Sequence, residues 1–82
     1  MSKNSLKNKL ILIIKREIKE KNITDKDGIN TKKNWDSIGN LNILLTIESD
    51  LKIIFNTKKF NSLNNFQSIL KNVQKKFDKK KT

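Results

Sequence analysis

The chain has 82 residues, with 19 Lys and Arg against 8 Asp and Glu and a net charge of +11, the length of one small domain with a strongly basic balance. Cys, His, Pro and Tyr are absent; this excludes disulfide frameworks, the usual zinc sites, thiol nucleophiles and Ser–His pairs, so a non-enzyme is expected. Asn, Lys and Ile fill 42 of the 82 positions while Arg occurs once, which makes coding bias as good an account of the charge as a surface selected to grip phosphates, where the Arg fork is better suited.

Leu6, Leu10, Ile13, Ile14 and Ile18 recur at helical spacing, with Lys7, Lys9, Lys15, Arg16 and Lys19 mostly off that stripe. The spacing predicts a first helix from about Ser5 to Lys21, capped by Asn4 or Ser5. The longest apolar run, Leu10 to Ile14, is too short to span a bilayer. It is also too short for a signal core despite lysines 3, 7 and 9, so a cytoplasmic location is expected. From Asn22 to Asn34 the turn-forming residues Asp25, Asp27, Gly28, Asn30 and Thr31 predict a long loop. Asp25-Lys26-Asp27-Gly28 has the opening of a calcium loop without its closing Glu, and it is read as a turn.

Asp36 and Ser37 are N-cap residues ahead of the most apolar segment, and a second helix is predicted from Ile38 to Leu51. Leu41, Ile43, Leu44, Leu45, Ile47 and Leu51 occupy more than half of its circumference, which predicts a central helix covered on several sides. Gly39 costs it some propensity, tolerable near the first turn. Ile53-Ile54-Phe55 fits a short strand or a connector, and Asn56-Thr57 can cap a brief helical turn through Phe60. Ser62 is the next cap candidate, before Leu63, Phe66, Ile69, Leu70, Val73 and Phe77, which predict a last helix from Leu63 to Phe77. Residues 78–82 read as a flexible basic tail. The expectation is a single all-α domain with a helical core over residues 5–77, built as a small four-helix bundle of three main helices and a short third one.

The segment Trp35-Asp36-Ser37-Ile38-Gly39-Asn40-Leu41-Asn42-Ile43-Leu44-Leu45-Thr46-Ile47-Glu48 resembles the modification segment of acyl carrier proteins. That family has an Asp-Ser-Leu/Ile core at the start of its second helix, followed by aliphatics and then acidic residues. The helix order over residues 5–77 fits the same family. The resemblance implies a monomeric carrier of acyl-carrier fold, in fatty acid or secondary metabolite biosynthesis. Ser37 would accept a 4′-phosphopantetheine arm from coenzyme A, transferred by a separate, metal-dependent phosphopantetheinyl transferase. The terminal thiol of the arm would hold an acyl or aminoacyl cargo as a thioester, giving a Cys-free protein its thiol chemistry. Asp36 would fix the turn and engage the transferase's metal; the chain itself has no metal site. Ile38, Leu41 and Glu48 would contact partner enzymes, while Leu41, Leu45, Ile54, Phe60 and Ile69 are candidates for a groove sheltering the cargo. Trp35 is read as a packing residue that closes the long loop onto the bundle.

The charge departs from the family, whose members are strongly acidic. Gly39 and Asn42 stand where acids are common, leaving Asp36, Glu48 and Asp50 as the local negative charges. Charge sets partner choice, so the partners expected are an acyl-ligase or synthase of a dedicated pathway, with no nucleic acid and no stable membrane insertion. The alternative is a small basic helical nucleic-acid-binding protein, which accounts for the charge through phosphate contacts. It leaves the aliphatic segment after Trp35 unexplained and supplies no helix with base-reading side chains at the required spacing.

Overall fold

The computed structural model describes residues 3–81 and shows an all-α fold. Helices α1 (Lys3–Ile18), α2 (Ser37–Leu51) and α3 (Phe66–Lys81) are joined by a long first loop and by a connector containing a 3₁₀ helix, Thr57–Ser62. The only β pairing among the described residues is one isolated bridge, Gly28 to Asn65. No helix among them is long and apolar enough to cross a membrane.

The predicted stripe of α1 is its buried face: Leu6, Leu10, Ile13, Ile14 and Ile18 all lie in the core. Lys19 ends the helix at φ 56°, a left-handed conformation that cannot propagate a right-handed helix. The termination comes three residues before the predicted one. α1, not α2, is the central helix, because it makes the main helix contacts with both α2 and α3. Two helices and a 3₁₀ turn are too few to cover α2 on all sides. Its inner face, with Asn40, Ile43, Leu44, Ile47 and Leu51, is buried, while Ile38, Leu41 and Leu45 remain exposed.

The first loop is tied down at both sides. Lys7 of α1 pairs with Asp25 at 3.3 Å, and Gln67 of α3 donates to the Asp25 carbonyl. Backbone bonds run from Ile29 N–H to the Asn64 carbonyl and from Phe66 N–H to the Asp27 carbonyl, both 2.9 Å. Gly28 lies against Asn65 so closely that a Cβ there would sit 2.6 Å from the Asn65 Cβ; only glycine permits this approach. The Asp25–Gly28 segment is the turn the sequence predicts. Asp27 accepts from the Thr24 N–H and from the Thr24 and Thr31 hydroxyls. Burial alone would raise its carboxyl, but these hydrogen bonds and the charge of Lys32 outweigh it and hold the group below its ordinary value.

Beyond α2, Ile53 and Phe55 turn inward and Ile54 outward, an alternation that forms a connector rather than a strand. Phe55 meets Phe60 edge to face, ring centres 6.4 Å apart, and the Lys76 ammonium stands 5.9 Å above the Phe55 ring. Asn56 caps the 3₁₀ helix by accepting from Lys58 N–H, as expected. The start of α3 differs from expectation. Its cap is Asn65, which accepts from Ser68 N–H, whereas the Ser62 hydroxyl donates back to the Lys59 carbonyl. Leu63 is therefore a buried connector residue, and the helix gains a turn at its far end, running through residues 78–81 that the sequence reading assigned to a flexible tail; Thr82 lies outside the described residues.

Candidate functional site

The turn into α2 is held by a cap, a buried side-chain network and a close-packed glycine. Asp36 is its N-cap, in extended backbone conformation, and its carboxylate accepts from Gly39 N–H at 2.7 Å. This satisfies one of the N–H groups that every helix start leaves without an intrahelical acceptor. Ser37 is therefore the first helical residue, one position inside the cap, and it is exposed. The positive end of the α2 dipole lies beside its hydroxyl.

Behind this turn, two polar side chains are withdrawn from water together. Trp35 is fully buried, and its Nε1–H donates to Asn40 Oδ1 at 2.9 Å. The Asn40 amide in turn donates to the Leu63 carbonyl at 2.9 Å. One side chain thus joins the end of the first loop, the first turn of α2 and the connector before α3. Its hydrogen bonds compensate the cost of burying an amide. Trp35 plays the loop-closing part the sequence suggests. Asn40 was missed; the signal was a lone polar residue on the inward face of an apolar helix, one turn after a cap.

Gly39 completes the arrangement. A Cβ at this position would stand 2.5 Å from the Asn34 carbonyl oxygen and 3.3 Å from an Ile18 methyl. The glycine is required by the close approach of the loop and α1 to the first turn, so its propensity cost is offset by packing that the sequence does not display.

Ser37 also borders an open cleft of about 190 Å³ whose other walls are Ile29, Asn40, Leu41, Leu44, Phe60, Asn61 and Asn64. Of the five groove candidates, the structure brings only Leu41 and Phe60 together here. Ile69 is fully buried in the core and Ile54 is 79% exposed on the connector. Leu45 is exposed on α2 and does not line the cleft. Ile38, 72% exposed, stands beside Ser37 as an apolar contact in solvent. Glu48, assigned to partner contact, has one carboxylate oxygen engaged within the chain, accepting from Phe55 N–H at 2.7 Å. Among the described residues no cluster of three or more acidic, His or Cys side chains is placed to hold a metal ion. Compared with protein-family models, with curated proteins and with solved structures, the chain matches none.

Proposed function

We propose that the chain is an acyl-carrier-like protein of four-helix type, the 3₁₀ helix serving as the short third element, with Ser37 as the attachment point for 4′-phosphopantetheine. The observation that carries this reading is the setting of Ser37: an exposed hydroxyl at a helix start held by a buried network, opening onto a cleft of mixed polarity. The residues suit such an arm. N–H groups of the first turn of α2 and its dipole face the position of a phosphodiester on Ser37 Oγ. Asn61 offers an amide to an amide-containing chain, and Ile29, Leu41 and Phe60 offer apolar walls. The arm supplies the thiol that this Cys-free sequence lacks.

This chain's own work in that scheme is positional. Asp36 and Gly39 set the turn that presents Ser37 outward, and no base within the protein is needed because a separate transferase removes the hydroxyl proton. The cleft is smaller than the ~300–1,000 Å³ of typical ligand pockets, which suits flanking the end of an arm rather than enclosing a long chain.

The test is intact mass after incubation with coenzyme A, magnesium and a broad-specificity phosphopantetheinyl transferase. One added phosphopantetheine is expected on the wild type and none on Ser37→Ala. A folded wild type that gains no mass would overturn the reading.

A further inference from the structure

The net charge is unevenly placed. Residues 1–50 hold ten cationic side chains and seven acidic ones, whereas residues 51–82 hold nine lysines and Asp78 alone. A coding bias toward lysine does not by itself clear the acids from one part of a molecule. In the folded chain three of these lysines line an open groove of about 320 Å³, where Lys59 of the 3₁₀ helix faces Lys71 and Lys75, one turn apart on α3. Among the described residues no carboxylate lines it, and the cations in their ion pairs are Lys7 and Arg16. The Ser62 and Ser68 hydroxyls at the groove donate to backbone carbonyls, so its positive character comes from the three ammonium groups.

The other side of the same 3₁₀ helix is a wall of the Ser37 cleft, through Phe60 and Asn61. Across the cleft lies the exposed aliphatic stripe Ile38, Leu41 and Leu45, within eleven consecutive residues, Ser37 to Ile47, that carry no charge. In a molecule of 39 × 27 × 20 Å, an ordinary protein–protein patch of ~800 Å² per partner spans stripe, cleft and groove together.

We propose that an acidic protein docks across the 3₁₀ helix, with apolar side chains on Ile38, Leu41 and Leu45 and carboxylates between Lys59, Lys71 and Lys75. The chemistry selects this occupant. A nucleic acid would use the lysines but would find no Arg fork and no aromatic lining the groove on which to stack bases, and it would leave the aliphatic stripe uncovered. A second copy would meet its own charge of +11. A protein surface with an apolar centre and an acidic rim complements both halves. That the docked protein acts on Ser37 rests on the carrier reading; the docking does not.

The experiment follows amide shifts of the isotope-labelled protein at physiological salt. Four probes are compared: a glutamate-rich helical peptide with a leucine stripe, polyglutamate of equal charge, a random-sequence DNA duplex and phosphatidylserine vesicles. The leucine-striped peptide should bind tightest and shift both the Ile38–Leu45 stripe and the groove. Replacing Lys59, Lys71 and Lys75 together by Gln should weaken it about tenfold, the sum of three modest surface pairs. The same charge change at Lys9, Lys19 and Lys21, none of which lines the groove, should alter it less than about twofold. Ser37→Ala should bind like wild type, which separates this result from the labelling test. Tighter binding of duplex or vesicles, equal binding of polyglutamate, or equal loss in the two triple variants would each overturn the proposal.

Discussion

Both ends of α2 pack apolar groups, but at its first turn the side-chain hydrogen bonds of Trp35 and Asn40 are buried, whereas the one that holds its last turn is only partly buried. There Lys52 closes the helix in left-handed conformation at φ 55° and Glu48 reaches across to Phe55 N–H. The difference decides where the helix can move. A buried hydrogen bond has no solvent partner to replace it when broken, so opening the first turn costs the full desolvation of the groups involved. Opening the last turn exchanges protein contacts for water. The serine end is thus the fixed end, which is what a site needs if another protein must find one hydroxyl in one orientation.

The largest test of this contrast is Asn40→Ala, which strands the Trp35 indole N–H and the Leu63 carbonyl at once. Chemical denaturation followed by Trp35 fluorescence should show a loss of about 2–3 kcal/mol. A loss below half a kcal/mol would mean that the network does not hold the turn. Gly39→Ala comes next. Helix propensity alone would make it stabilising by up to ~1 kcal/mol, but the clash with the Asn34 carbonyl should turn it into a loss of about 1–2 kcal/mol. The sign of the measured change settles which influence governs.

Lys52→Gly probes the other end and should act in the opposite direction. Glycine takes the left-handed conformation without a Cβ penalty, so a gain of about 0.5 kcal/mol is expected; a loss would place unrecognised packing at the last turn. The smallest effect belongs to Asp27, in the loop that leads to the fixed end. Its folded carboxyl lies below the ordinary value of 3.8, so its contribution is present above that pH and is lost as pH falls through the folded value. The stability difference between wild type and Asp27→Asn should accordingly shrink as pH drops below 3.8. A difference independent of pH would show that the Thr24 and Thr31 contacts do not depend on the charge.

Much of the fold was legible in the residue order. The α1 stripe appears at helical spacing because all of its members face the one core. Asp36 announced the start of α2, and Asn56 the 3₁₀ helix, because capping is local chemistry between a side chain and N–H groups two or three residues away. The start of α3 was misplaced because Ser62 and Asn65 are both able to cap. The choice between them was made by the backbone bonds that Asp27 and Asn64 form across the Gly28 bridge, from a loop more than thirty residues earlier.

The candidate site divides in the same way. Ser37 and Asp36 could be named from their neighbours in sequence, since a helix start needs only a few consecutive residues. The cleft could not: Leu41 and Phe60 come together while Ile54 and Ile69 go to opposite environments, because burial depends on which helix lies across the way. The residues by themselves determined a small, basic, all-helical chain with a capped serine at the head of its most apolar helix. Only the tertiary structure decided that α1 lies at the centre, that Asn40 locks the serine turn, and that Lys59 meets Lys71 and Lys75 at one groove. Those outcomes depend on contacts between segments far apart in the chain, where packing and desolvation outweigh any local preference.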